Sequence, residues 1–157
     1  MKKIYIYISV VISFCFLWSC SKEELAKKQF EGTWDVIHYE LQTKMNGYVV
    51  LYQKEDCNPN DPDEDVKGRI VISYLEDNLY YLTLYGWDKT KGTWNLQEKC
   101  HLVQDDNYFY DVLDEKRENP AKINVENNTL IIEYSNESVF NDIVTYQYFK
   151  YIFKKVG

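Results

Sequence analysis

Alanine is nearly missing from this sequence: Ala26 and Ala121 are the only two among 157 residues. Aromatic residues make up 17% of the chain instead, including 15 tyrosines. Tyrosine, isoleucine, valine and threonine suit a pleated, half-buried surface, so the composition is that of an all-β protein. Histidine is scarce, with only His38 and His101. A hydrolase needs an activated nucleophile beside a base, and no G-x-S-x-G elbow accompanies either histidine. Zinc requires clustered cysteine and histidine, whereas Cys100 and His101 are adjacent and point to opposite faces of a strand. The chain therefore reads as a non-enzyme without a cofactor. It also lacks a run of the roughly 20 apolar residues that a membrane-spanning helix requires.

The longest apolar stretch, Ile4 to Trp18, follows Lys2 and Lys3 and has the charge and length of a signal-peptide h-region. It ends in Leu17-Trp18-Ser19-Cys20, which resembles the lipobox read by lipoprotein signal peptidase, with Trp18 bulkier than the usual occupant. The chain turns polar immediately, at Ser21, Lys22, Glu23 and Glu24. These features divide the chain into a lipoprotein signal peptide (1–19), a lipidated tether with a short helix (20–29) and one domain (30–157). Lipid, palmitate among its acyl chains, is expected on Cys20. The S-K-E-E stretch resembles the acidic tether of outer-membrane lipoproteins, which implies an outer-membrane location on either the periplasmic or the exposed face. An ordinary secretory signal or an uncleaved anchor with a chance cysteine is the alternative. Loss of Lys2 and Lys3 with the leader takes the net charge from −7 to −9. That charge argues against nucleic acid or an anionic lipid surface as partner.

Beyond a short helix expected over residues 21–30, with Ser21 as cap and Glu24 three residues on, the pattern is of short strands between turns. The strand-like runs are 34–39, 48–53, 69–74, 79–85, 93–96, 100–103, 108–113, 122–125, 130–134 and 143–153. Asn46-Gly47, Glu76-Asp77-Asn78 and Asn127-Asn128 are turn signals. Ile70, Ile72 and Tyr74 alternate to one face, as do Tyr80, Leu82 and Leu84. No crossover helix of the kind a parallel sheet needs is present. An antiparallel meander of about eight to ten strands closes into a barrel or folds into a sandwich, because closure removes exposed edges.

Phe30-Glu31-Gly32-Thr33-Trp34 resembles the Gly-x-Trp signature on the first strand of lipocalins and of lipocalin-like lipoproteins of Gram-negative bacteria. Lys91-Gly92-Thr93-Trp94-Asn95-Leu96 is similar to a mid-domain strand of the bacterial group, and Tyr146 to Lys155 to its last strand. The resemblance implies an up-and-down β-barrel. In it Gly32 admits the chain, Trp34 closes the floor, and Gly92 and Trp94 are structural. It also implies binding of a small hydrophobic or amphipathic ligand in the barrel. Many lipocalins set an arginine against the floor tryptophan. Here the last strand offers only Lys150, Lys154 and Lys155. The alternative for both G-T-W copies is a turn-to-strand entry whose tryptophan simply fills core.

Two further expectations concern oxygen and sulfur. Asp61, Asp63 and Asp65 alternate in the longest loop and form a weak calcium candidate, although Val66 replaces the glycine of an EF-type loop; a solvated acidic loop is the alternative. With Cys15 removed and Cys20 acylated, Cys57 and Cys100 are left in an oxidising compartment, where a disulfide is expected or else two separate buried thiols. Small barrels can be filled by their own side chains. A packed barrel acting through its outer surface on a protein or glycan therefore stands beside the ligand-binding reading.

Overall fold

A computed structural model describes residues 26–61, 63–64 and 67–156. The leader, Cys20 and most of the expected helix lie outside them; within them, residues 26–28 are helical. Nine strands follow: β1 (Gly32–Met45), β2 (Tyr48–Asp56), β3 (Gly68–Tyr74), β4 (Leu79–Asp88), β5 (Thr93–Asp105), β6 (Tyr108–Asp111), β7 (Ala121–Glu126), β8 (Thr129–Phe140) and β9 (Ile143–Lys155). Each sequential neighbour from β3 to β9 pairs antiparallel, and β9 returns to β1. Eight strands thus close an up-and-down barrel. β2 is the ninth and stands outside the ring, paired only with the second half of β1.

The turns are built for right-twisted hairpins. Asn46-Gly47, Asp77-Asn78, Asn127-Asn128 and Asn141-Asp142 all hold both central residues at positive φ, between 45° and 83°. Mirror-image turns of this type match the twist of the strands they join, and asparagine and aspartate tolerate that conformation better than other side chains. The segments 93–96 and 100–103, read as separate strands, are one strand. A bulge at Gln97, where the β4–β5 register shifts between Leu84 and Tyr85, breaks the apolar alternation without ending the ladder.

One end of the barrel is sealed. Trp34, Tyr80 and Leu130 are fully buried there, packed with Phe30, Ile72, Phe109 and Ile123. Phe30 meets Phe109 and Tyr80 edge-on, with centroids 5.1 and 5.9 Å apart. Trp34 Nε1 donates to the Phe30 carbonyl at 3.0 Å. The Tyr80 hydroxyl proton is shared between the Lys27 carbonyl (3.0 Å) and Gln104 Oε1 (2.8 Å). Each polar tip in this floor is thereby satisfied, as burial demands.

Lys155 takes the place of the arginine that the lipocalin resemblance implies. Its Nζ lies 5.1 Å from the centroid of the Trp34 ring. Gly32 makes room for it: φ there is +134°, and a Cβ would stand 2.8 Å from Lys155 Cε. Gly32→Ala is therefore expected to cost about 1–3 kcal/mol through backbone strain alone. Urea denaturation checks this, and an unchanged midpoint would show that the floor does not depend on the glycine.

Candidate functional site

At the opposite end the interior opens. Below, Ile70, Ile72, Tyr80, Leu130 and Phe153 are buried against one another, with Leu82, Leu84 and Ile132 packed partly over them. Above this plug lies a cleft of about 250 Å³ walled by Val36, Leu84, Tyr151 and Phe153. It exists because two inward positions carry no side chain. Gly68 on β3 and Gly86 on β4 face each other directly. A Cβ on Gly68 would touch Val36 at 3.5 Å, and one on Gly86 would press on the Gln97 side chain at 3.0 Å. Glycine inside a strand commonly marks a place kept open for close approach, and here the bare backbone forms the window of the cleft. Lys67 and Trp87 flank it and complete the lining. Two other hollows of similar size have a more polar lining than this cleft: one beside the floor at Lys27 and Gln104, the other on the outer wall at Glu118, Lys122 and Tyr148.

A ladder of cations and rings braces the window. Lys67 Nζ sits 4.9 Å from the centroid of Trp87, which meets Trp94 edge-on at 5.3 Å; Trp94 carries the Arg69 guanidinium at 4.3 Å. Arg69 in turn donates to both carboxylate oxygens of Asp35, from Nε at 2.6 Å and from a terminal nitrogen at 2.8 Å. The hydrogen bond to Asp35 holds the Arg69 guanidinium more firmly protonated than usual. A bidentate, half-buried pair of this kind is both strong and directional. Trp87 Nε1 is buried with no acceptor among the described residues.

Above the cleft the wall flares. The distal halves of β1, β8 and β9, with β2 added, extend past the ring as a four-stranded sheet whose inner face continues the barrel interior. Tyr39 stacks on Tyr151 at 6.4 Å, and the next row places Leu41, Phe149 and Tyr134 side by side. Gln53 Nε2 donates to the Tyr39 hydroxyl at 2.5 Å. Burial, reinforced by Glu55, pushes that phenol up to about 12. At the tip, Tyr48, Val139 and Phe140 are largely exposed.

The residues singled out from sequence fall in different places. Gly32 and Trp34 form the floor. Gly92 occupies a turn at φ +65°, and Trp94 is half-buried on the outside of the wall, stacked on Arg69, rather than in the core. Cys20 and Asp65 lie outside the described residues. The expected Cys57–Cys100 bridge is corrected by the structure, in which both are free thiols. Cys57 is bonded through its backbone to Ile37 on the β3 side of β1, while Cys100 lies on β5 opposite Leu82. Two strand spacings, about 10 Å, separate those lanes, beyond the roughly 7 Å that a disulfide can bridge.

In the acidic loop, Asp61 Oδ1 accepts from the Asp63 backbone and Glu64 Oε2 from that of Asn58. These oxygens fold the loop, and the described residues contain no group of three or more potential metal ligands. The histidines are not brought together: His38 Nδ1 pairs with Asp56 at 2.6 Å, and His101 lies against Tyr81 at 5.0 Å. Lys67, Arg69 and Trp87 escaped the sequence reading. Gly86 inside the strand Tyr85-Gly86-Trp87 was the available signal.

No protein-family model matches the chain, and no curated protein matches it. Among solved structures, that of the siderocalin Ex-FABP, described as functioning through dual ligand specificities, is similar over 82% of this chain and 71% of its own. The two share 10% sequence identity at a TM-score of 0.45.

Proposed function

We propose that this protein is an envelope lipoprotein, lipidated at Cys20 and held on the outer membrane, whose barrel binds a small hydrophobic or amphipathic molecule rather than catalysing a reaction. The observation that carries the binding reading is the apolar cleft between Val36, Leu84, Tyr151 and Phe153, kept open by the facing glycines Gly68 and Gly86. Ligand sites are concave, mostly apolar and largely pre-formed, and this cleft has all three properties. The anchor reading is supported by the charge, length and cysteine of residues 1–20. Incorporation of radiolabelled palmitate, lost in Cys20→Ala, tests it; equal labelling of both forms overturns it.

The ring strands all lie between residues 32 and 155, so a lipid-free chain of residues 21–157 contains the whole barrel. Displacement of a fluorescent apolar probe from that protein should show one site with a Kd on the order of 1–10 μM, as expected of a small, open cleft. Gly68→Leu, which places a side chain where the cavity stands, should weaken binding at least about tenfold while leaving the circular dichroism of the sheet intact. The rival reading is a packed barrel acting on a protein or glycan through its outside, and it draws on the exposed Tyr48–Asp56 strand. Absence of saturable binding in the wild type, with nothing co-purifying by native mass spectrometry, would favour that rival.

A further inference from the structure

The two faces of the flared sheet differ in charge. Its outward face carries Glu40, Lys44, Lys54, Glu133, Glu137 and Lys150. On its inward face no strand residue is charged from the Leu41 row to the tip. Glu55 lies one row lower, opposite Tyr39, and accepts from Gln53 Nε2 at 3.3 Å. Charged residues are 27% of the chain, and no core is packed on this part of the sheet to keep them off. The fold itself gives no reason for so neutral a face.

Neutral is not the same as apolar here. Asn136 on β8, Gln147 on β9 and Thr43 on β1 stand side by side in one cross-strand row. All three are half-buried, and none makes a side-chain hydrogen bond among the described residues. The row beneath, about 7 Å down the strands, holds Tyr134, Phe149 and Leu41, with the two ring centroids 6.0 Å apart. An aromatic step therefore adjoins a band of amide and hydroxyl groups. An ion would give up hydration on this face without meeting a counter-charge. An apolar chain would cover the carboxamides of Asn136 and Gln147 and leave them without partners. A hydroxyl group suits them, because it both donates and accepts, as a carboxamide does.

We propose that the inward face of the flared sheet is a second binding site, separate from the apolar cleft, and that it takes a short uncharged oligosaccharide. A sugar ring has an apolar C–H face and an edge of hydroxyl groups. The face stacks on Phe149 and Tyr134, whose rings carry partial negative charge on their flat sides. The edge then reaches the Asn136–Gln147–Thr43 row. Further sugars continue up the strands to the hydroxyls of Ser138 and Thr145, which pair in the next row. The site does not depend on the cleft, so either reading can fail alone.

The test titrates the isotope-labelled, lipid-free chain of residues 21–157 with tetrasaccharides at millimolar concentrations, and follows the side-chain amide signals of Asn136 and Gln147 by NMR. Neutral tetramers of glucose, mannose, galactose and N-acetylglucosamine are set against anionic tetragalacturonate and the protonated glucosamine tetramer. At least one neutral tetramer is expected to shift both signals saturably, with a Kd at least about tenfold below that of either charged one. Asn136→Leu combined with Gln147→Leu should weaken that binding about tenfold, the effect of losing one or two neutral hydrogen bonds. Gln42→Leu, on the outward face of the same sheet, should leave it unchanged, and all variants should keep the circular dichroism of the sheet. Saturation by none of the neutral tetramers, or equal binding of a charged one, overturns the proposal. So do shifts confined to Gly86 and the cleft. Signals of Asn136 and Gln147 that move on dilution of the protein alone overturn it in favour of a second copy on this face. In each of these cases an apolar probe that still binds the cleft leaves the earlier reading standing.

Discussion

Trp34→Ala is expected to destabilise the protein by about 3–5 kcal/mol, whereas Trp94→Ala costs about 1–2 kcal/mol, although both tryptophans stand in the same Gly-Thr-Trp context. Trp34 is fully buried, gives its indole proton to Phe30 and supports Lys155 on its face. Removing it leaves a hole in the floor of a closed barrel, whose strands are hydrogen-bonded on both sides and have little freedom to collapse inward. It also leaves the Phe30 carbonyl without its donor. Trp94 lies half-buried on the outer wall, and its loss removes one stacked guanidinium and one edge contact with Trp87. The chief loss there is of surface contacts, which water can replace. Domains of this size are stable by only about 5–15 kcal/mol. A slope of about 2 kcal/mol per molar urea then puts the Trp34→Ala midpoint about 2 M below wild type, with Trp94→Ala less than about 1 M below. Equal shifts for the two variants would show that the floor carries no special share of the stability.

The contrast between these two residues shows how far the sequence could be read. Alternation such as Ile70, Ile72, Tyr74 and Tyr80, Leu82, Leu84 was legible because one face of those strands meets the core, and a period of two survives wherever that holds. The turns were legible because asparagine, aspartate and glycine mark positive φ. Strand length was not. β1 runs on through Gln42, Thr43 and Lys44 to Met45, and β8 through Ser135 to Phe140, because in the flare there is no core to impose apolar letters; the ladder alone holds these halves. The ninth strand was legible as a strand but not as a strand outside the ring. β2 pairs with β1 only beyond the point where β3 departs, and such a branching of partners has no signature in one strand's own residues.

The candidate site was less legible than the fold for a related reason. The cleft depends on Gly68 meeting Gly86, a register between two strands rather than a motif in either. Lys67 reads as an ordinary loop-end charge until the β3–β4 pairing sets it on the face of Trp87. The expected disulfide failed in the same way: two cysteines in one compartment say nothing about how many strands separate them. Arg69 and Asp35, 34 residues apart, are likewise joined only by the β1–β3 pairing.

Raising the pH from 9 to 12 should unfold the barrel. Burial pushes Tyr80 up to about 12 from an ordinary 10.0, and burial also leads in raising Tyr39 and Tyr148 to about 12. Burial raises both thiols, Cys57 and Cys100, from 9.0 to about 11. In every case the neutral form is the one the fold accommodates, so the unfolded chain releases its proton first. Below pH 9 all are protonated in both states and the stability is undiminished. As the pH passes 9 for the thiols and 10 for the phenols, the unfolded state binds fewer protons and is favoured, until the folded groups titrate near 11 and 12. A fully buried group such as Tyr80 loses about 1.4 kcal/mol per pH unit across that window, about 3 kcal/mol in all. Tyr39 and Cys57, both well buried, act in the same direction, and the half-buried Tyr148 and Cys100 add smaller shares. The combined loss reaches the lower end of a domain's whole stability. The ionisation of Tyr39, Tyr80 and Tyr148, the last part of the tyrosinate absorbance to appear, should therefore coincide with loss of the sheet's circular dichroism in one cooperative transition above pH 10. Should Tyr39, Tyr80 and Tyr148 instead ionise while the sheet signal holds steady, their phenols are not sealed inside the barrel in the way the Tyr80 floor requires.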